Sequence, residues 1–289
     1  MPELPEVETV RRGLHELIIG RKITAESHDT DKGFPNAVED VKSFLVGSSV
    51  TDVRRRAKVL MIDLSTDYTL VIHLKMTGQM VFRAHDIVFG AGHPNESLIG
   101  ELPDRSTRVT LTFEDDSHLY FNDQRKFGWM RLLPTLEVPN IDFMKKVGPE
   151  PLEADFTADE FATRFKRRAK SPIKAALLDQ TVIAGVGNIY ADESLWAAKI
   201  HPLAKVADLP TTKYHLLYTE LRSVMNLAIE KGGSTDKNYV NAQGKRGSYM
   251  DFARVFRREG LECPRCGTVI VKFRAAGRGT HICPHCQVL

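Results

Sequence analysis

Cys263, Cys266, Cys283 and Cys286 are the only cysteines in the 289-residue chain, and they stand as C-x2-C-x16-C-x2-C. Two-residue spacing lets both thiolates of a knuckle reach one ion. The longer excursion lets a β-hairpin return the second pair and complete a tetrahedral four-sulfur zinc site with no open position. Paired disulfides are the alternative, which a reducing compartment disfavours. A redox C-x-x-C would need a βαβ setting that the flanking sequence lacks. The expectation is one structural Zn2+.

The N-terminus is the second place where residue types could do chemistry. Removal of Met1 would expose Pro2 as a secondary amine in the ordinary α-amino range, about 7.7–8.0. Such an amine can attack the anomeric carbon of a sugar and form an iminium. Glu3 beside it can move the protons that ring opening and elimination require. The same residues also read as a plain helix start. Pro5 suits the first helical position, and Glu6 and Glu8 complement the positive end of the helix dipole. Val7, Val10, Leu14, Leu17 and Ile18 follow at helical spacing, with Gly20 as the stop. On the residues alone both readings stand.

The charge pattern bears on the partner. The chain carries 40 Lys+Arg against 37 Asp+Glu, a net charge of only +3. Its last 59 residues hold 11 basic and 4 acidic side chains, net +7, leaving 29 basic and 33 acidic, net −4, in residues 1–230. A further basic run is Arg164, Lys166, Arg167, Arg168 and Lys170. Such clusters serve either as a solvated face or as a surface that tracks phosphates. With 42% hydrophobic and 27% charged residues, the composition is that of a globular protein and excludes disordered, collagen-like and disulfide-scaffold classes. No apolar run is long enough for a transmembrane helix. The acidic start is unlike a secretory signal, so a cytoplasmic protein is expected.

The start PELPEVETVRRGL resembles that of the formamidopyrimidine-DNA glycosylases, and the rest of the chain continues the resemblance in order. Lys58, in Arg54-Arg55-Arg56-Ala57-Lys58, is similar to the family's loop lysine. His73-Leu74-Lys75-Met76-Thr77-Gly78 resembles its H-L-G-M-[ST]-G segment, and Asp123-Gln124-Arg125-Lys126-Phe127-Gly128 its D-x-R-x-F-G. Gly185 to Glu193, GVGNIYADE, resembles the helix–two-turn–helix signature. Tyr239-Val240-Asn241-Ala242-Gln243-Gly244 and the terminal zinc hairpin complete the series. The resemblance implies a base-excision enzyme acting on duplex DNA with oxidised purines or abasic sites. Pro2 would be the nucleophile, Glu3 and Lys58 would manage protons, and Glu6 would orient the opened sugar. Arg278, Gly-flanked at the tip of the zinc hairpin, would grip phosphates and assist the last elimination. Met76 would enter the hole left by an everted base, with Arg125 facing the orphaned partner and Phe127 wedging the stack. His73, Arg108, Arg168, Lys170, Asn188 and Tyr239 would contact DNA.

Each position also has a plainer reading. Met76 and Phe127 could be core, Lys58 could be a phosphate contact after three arginines, and Glu6 could be a helix cap. Lys75 stands where the resemblance implies glycine. Ser106 and Ala169 stand where some relatives carry DNA-contacting His and Lys, with Arg105, Arg108, Arg168 and Lys170 as neighbouring substitutes. Two rival functions remain. One is an endonuclease VIII-like enzyme for oxidised pyrimidines, and the other is a non-catalytic zinc protein that binds damaged DNA.

The elements that must position these residues predict an α+β chain. Residues 1–135 form a β-sandwich-like domain with flanking helices, in which Thr69–Lys75 is a strand and the N-terminal helix delivers Pro2 to an interdomain cleft. Residues 136–151, with Pro139, Pro149 and Pro151, are a linker beginning just past Pro134. Residues 152–252 form the helix–two-turn–helix domain, with helices over 173–179 and 190–199. Asp236–Arg258 contains a loop that closes over the flipped base. Residues 253–289 form the zinc finger. The 83–106 connection, rich in Gly, Pro and Asn, has no assigned structure. Monomeric action follows from the resemblance.

Overall fold

The computed structural model describes residues 2–93, 95–234 and 248–289. The chain forms two compact units, Met1–Lys145 with Lys231–Ser248, and Lys146–Glu230 with Tyr249–Leu289. Tyr239 and most of the expected closing loop lie outside the described residues.

In the first unit, helix α1 (Leu4–Ile18) begins on the N-cap Glu3 and places Pro5 in its first turn. Val7, Val10, Leu14 and Ile18 form its buried stripe, while Leu17 packs at the rim. The helix ends before Gly20, whose φ of +81° turns the chain away. Among the described residues, nine strands then build two antiparallel sheets. One has the order β1 (Ile23–His28), β7 (Thr107–Phe113), β8 (His118–Asp123), β5 (Gly78–Ala84), β6 (Ile87–Gly92). The other has the order β2 (Val50–Arg56), β3 (Val59–Leu64), β4 (Tyr68–His73), β9 (Trp129–Pro134). A short helix, α2 (Val38–Asp40), lies between β1 and β2.

The side-chain alternation of strands explains the core. Leu60, Ile62, Leu70 and Ile72 face one way, into a cluster shared with Phe82, Phe113 and Phe121 of the other sheet and with α1. Val59, Met61 and Val71 face the other way and are covered by Val138, Phe143 and Met144. Strand β4 is therefore buried on both faces, and its sequence is nearly continuous in apolar residues. The covering residues come from a 3-10 turn, Thr135–Asn140, and helix α3 (Asp142–Lys146), so the expected linker starts as part of this core. The 83–106 connection contains β6 and a 3-10 turn, Glu96–Leu98. Gly90 and Gly92 dilute the strand pattern of β6, which hid it from sequence reading.

The second unit holds α4 (Ala158–Lys166), α5 (Ile173–Leu178), α6 (Asn188–Ala197) and α7 (Thr211–Glu230), then the hairpin of β10 (Val271–Ala275) and β11 (Arg278–Ile282). Thr157 caps α4 by accepting the Glu160 N–H at 3.2 Å. The hairpin pairs Ala275 with Arg278 across a two-residue turn. Both turn residues have positive φ, Ala276 at +51° and Gly277 at +70°, as a right-twisted hairpin with so short a loop requires.

One contact ties α1 to the sheet edge and can be tested. A Cβ on Gly13 would lie 2.2 Å from the ring of Phe89, which is 1% exposed on β6. Gly13→Ala should destabilise the protein by about 1–3 kcal/mol through overpacking. Phe89→Leu in that background should recover part of the loss. Urea unfolding of the two variants checks both expectations, and a neutral Gly13→Ala would remove the contact from the account.

Candidate functional site

At the start of α1, Glu3 and Glu6 form a reciprocal capping box. The Glu3 backbone N–H donates to Glu6 Oε2 at 2.7 Å, and the other Glu6 oxygen accepts the Ser234 N–H at 2.7 Å. Both carboxylates are buried, at 4% exposure, as is Pro2. Glu6 is thus a cap and also a brace to the 231–234 segment. One turn on, Glu8 accepts from Arg11, Arg12 and Arg55. Burial works to raise its pKa, but hydrogen bonds from Arg11 and Arg12 and the charges of Arg11 and Arg55 outweigh it and hold it below the usual range.

Arg55 carries the link to Lys58. It sits in the β2–β3 hairpin, reaches Glu8 at 3.1 Å, and donates to Ala57 O at 3.0 Å. The hairpin turns at Ala57, with φ +54°, and Lys58 is 5% exposed. The second turn of α1 and the Lys58 hairpin are therefore tied to one another. His73 lies at the end of β4, paired with Val59 next to Lys58. Burial, reinforced by the charges of Lys75 and Lys58, lowers its pKa to about 3. Its Nδ1 accepts the Lys75 N–H at 3.0 Å, so the neutral ring keeps its proton on Nε2.

The loops that follow β4 and β8 share one anchor. Asp123 is fully buried, and its Oδ1 accepts from the Thr77 hydroxyl and from the Arg125 N–H at 3.2 Å. Oδ2 accepts from Phe127 N at 2.8 Å and Gly128 N at 2.7 Å. Met76 is half-buried within the first loop. Phe127 is 48% exposed, which removes the core reading, and Arg125 lies over its ring at 4.8 Å. Lys75 has φ +50°, the left-handed backbone that explains why the resemblance implies glycine there.

Arg108 needs correction. Expected as a DNA contact, it is 5% exposed, and its guanidinium is occupied internally. Nε donates to Asp123 O at 2.8 Å, while the two terminal nitrogens meet Asp29 and Arg105 O. It braces the Asp123 strand end. Ser106 is likewise buried against Asp104 and Ser97, and Arg105 is the exposed cation of that stretch.

In the second unit, Arg278 is exposed immediately after the hairpin turn. Lys170 is exposed, and Arg168 forms a surface ion pair with Asp179 at 2.5 Å. Asn188 opens α6 and donates from Nδ2 to Gly279 O at 3.0 Å, so its amide already bridges to the zinc hairpin. Glu193 is almost fully buried and accepts the N–H groups of Arg254, Val255 and Phe256 at 2.8–2.9 Å. Asp123, Lys174, Asp192 and Glu193 were not among the sequence-predicted site residues. The available signal was an acid inside the Asp123–Gly128 and Gly185–Glu193 motifs, and one lysine in the apolar run of α5.

The four thiol sulfurs lie within 4.8 Å of one another, with Cys266 Sγ 3.4 Å from Cys283 Sγ and 3.5 Å from Cys286 Sγ. A tetrahedral zinc with Zn–S bonds of about 2.3 Å needs sulfur–sulfur edges of about 3.8 Å, so the donor set fits. Hydrogen bonds from Thr268 bring the Cys266 thiol down to about 6, whereas burial pushes Cys283 up to about 12. Binding all four as thiolates calls for a central divalent charge. The Trp196 indole N–H donates to Cys263 Sγ at 3.4 Å, and Arg265 from the first knuckle caps the α6 carbonyls of Trp196 and Ala197. The zinc finger is built onto α6.

A two-sheet antiparallel sandwich followed by a helix–two-turn–helix unit and a four-cysteine hairpin defines the class. Residues 1–130 match the formamidopyrimidine-DNA glycosylase N-terminal domain, 147–239 the H2TH domain of the same enzymes, and 260–288 the zinc finger found in FPG and IleRS. The formamidopyrimidine-DNA glycosylase of Pediococcus pentosaceus is 42% identical over 289 residues, all of both chains. A Lactococcus lactis FPG mutant bound to Fapy-dG DNA matches with a TM-score of 0.87 at 36% identity, over 100% of both chains. The wild-type Lactococcus lactis protein bound to DNA containing an oxidised pyrimidine matches with a TM-score of 0.86 at the same identity and coverage. The chain belongs to the formamidopyrimidine-DNA glycosylase family. It carries one structural zinc site, and among the described residues no helix is long and apolar enough to cross a membrane.

Two predictions test this geometry. The native state keeps His73 neutral down to about pH 3, while the unfolded chain takes up its proton near 6.5. Between those values the unfolded state binds the extra proton, so this residue lowers stability as pH falls. His73→Asn, which keeps an acceptor for the Lys75 N–H, should lose less stability than wild type between pH 7 and 4.5 by urea titration. Equal losses would contradict it. Trp196→Phe removes the N–H···S contact and should speed zinc loss to a chelator roughly tenfold; an unchanged rate would show the contact to be dispensable.

Proposed function

We propose that the protein removes oxidised purines, 8-oxoguanine and formamidopyrimidines, from double-stranded DNA and then cuts the strand at the resulting site. The observation that carries the reading is the placement of Met76, Arg125 and Phe127 on two loops hung from one buried carboxylate. An exposed aromatic ring under a guanidinium, beside a flexible thioether, suits insertion into a base stack from which a nucleotide has been everted.

The chemistry follows from the start of α1. With Met1 removed, the Pro2 nitrogen attacks C1′ of the everted nucleotide. The N–C1′ bond forms as the glycosidic bond breaks, and the base leaves with a proton supplied through Lys58 or Glu3. Opening of the sugar ring gives an iminium, which draws electrons from C2′ and acidifies its proton. Glu3 accepts that proton, and β-elimination expels the 3′ phosphate. A second elimination expels the 5′ phosphate and leaves a one-nucleotide gap. Glu6 holds the backbone of Glu3 in place for these transfers. Neutral His73 offers its Nε2–H as a donor without adding charge. Arg278 binds a phosphate beside the lesion through its planar guanidinium, and Lys170, Arg168 and the Asn188 amide add sequence-independent contacts. Tyr239 belongs to the same proposed set. The protein acts as a monomer in the cytoplasm, on nucleoid DNA.

The oxidised-pyrimidine complex of the Lactococcus lactis relative favours a second substrate class on the same chemistry. Excision of 8-oxoguanine opposite cytosine should be faster than excision of thymine glycol; the reverse order would reassign the substrate. Borohydride treatment with an 8-oxoguanine duplex should trap a covalent adduct, and Pro2→Gly should lower its rate roughly a hundredfold or more. Equal trapping by that variant would remove Pro2 from the mechanism, and no adduct or nicking from wild type would leave a binding protein. Active preparations should have the intact mass of the chain without Met1, because an amide nitrogen at Pro2 cannot attack.

A further inference from the structure

Lys174 and Asp192 form an ion pair with both side chains at 0% exposure and Lys174 Nζ 2.6 Å from Asp192 Oδ1. Burying two charges is expensive, and such a pair adds little stability over an apolar one of the same shape. Both partners also reach the zinc hairpin. Lys174 Nζ donates to Thr280 Oγ1 at 2.7 Å and lies 3.4 Å from Gly279 O. Thr280 Oγ1 in turn donates to the carbonyl of Arg278 at 3.2 Å. Asp192 Oδ2 accepts the His281 N–H at 3.0 Å and lies 3.1 Å from His281 Nδ1. Gly279 O also accepts from Asn188, the first residue of α6. The pair thus holds Gly279, Thr280 and His281 directly and the Arg278 carbonyl through Thr280, and leaves the Arg278 guanidinium exposed.

We propose that Lys174 and Asp192 are positioning residues that fix the backbone of β11, so that Arg278 is presented to phosphate in one orientation. The two charges neutralise one another, so the finger gains rigidity at its tip without adding to the cationic surface. Hairpin tips held only by a two-residue turn open readily, and ordering one on binding would subtract from affinity. The inference rests on the role given to Arg278 above.

The test uses the zinc-loaded full chain and a duplex carrying a stable abasic-site analogue. Arg278→Ala should bind about tenfold more weakly, with the slope of log affinity against log salt reduced by about one counterion. Asp192→Asn, with one zinc per chain and a native circular-dichroism spectrum, should reproduce both changes. The double variant should bind within about twofold of Arg278→Ala, since a residue that acts through Arg278 has nothing left to position. A folded Asp192→Asn protein with wild-type affinity and slope, or losses that add in full in the double variant, overturns the proposal. If Asp192→Asn does not fold, Thr280→Val decides by the same criteria, because it cuts the link to the Arg278 carbonyl and leaves the ion pair whole. Wild-type affinity in Arg278→Ala would instead remove the phosphate role of Arg278, and this inference with it.

Discussion

The carboxylate of Asp123 holds the working edge of the first unit together. It is an acceptor with no exposure to water, and three backbone N–H groups and one hydroxyl converge on it from two loops. Those donors have no strand partner, because both sheets end where the loops begin. Left unpaired, each buried donor would carry a penalty of roughly 1–3 kcal/mol. The carboxylate satisfies all of them, and in doing so it fixes the distance between Met76 on one loop and Arg125 and Phe127 on the other. Arg108 completes the arrangement from below by binding the carbonyl of the same residue. The wedge that the proposed chemistry needs is therefore positioned by an interaction in which none of its own side chains takes part.

The second unit repeats the solution with different residues. Glu193 gathers three consecutive N–H groups from Arg254 to Phe256, and Asp192 gathers His281 while neutralising Lys174. These two acids are adjacent on α6, so one helical turn fastens both the chain entering the zinc finger and the strand leaving its tip. The four sulfurs at the base of the finger are placed to be fixed by one zinc. Trp196 and Arg265 join that base to the last turn of α6. The helix is thus clamped to the finger at both ends, and the geometry of Arg278 is set by a rigid body instead of by the hairpin alone.

Much of this was legible in the sequence, for identifiable reasons. The period of α1, the spacing of the cysteines and the two-helix pattern around GVGN each depend on residues close together in the chain, and each is present, although the second helix runs Asn188–Ala197 and not 190–199. The roles of Asp123, Asp192, Glu193 and Lys174 do not, because each also depends on a partner far along the chain, Thr77 for Asp123, His281 for Asp192, the 254–256 backbone for Glu193 and Thr280 for Lys174, and no local pattern marks such a pairing. Arg108 was misread for the same reason. An arginine on a strand looks like a surface cation unless the internal acceptors that surround it can be seen. Phe127 was ambiguous between core and surface until its loop was seen to leave the sheet. Strand β6 was missed because glycines, which let the chain approach Leu98 closely, erase the alternation that marks a strand.

The charge distribution gains a sharper meaning from the same details. A net +7 in the last 59 residues invites a reading in which the whole tail attracts a polyanion. Several of those cations are already engaged. Arg265 is bound to α6 carbonyls and to the face of Trp196, and Lys272 is paired with Glu259. A cation held against a carbonyl or a carboxylate gives less counterion release than a free one, because its field is partly satisfied before any phosphate arrives. Arg278 differs in kind. Its backbone is fixed by a neutral, buried pair, and its guanidinium is exposed beside a turn too short to shield it. What the tail offers to DNA is governed less by the sum of its charges than by which of them the fold has left unspent.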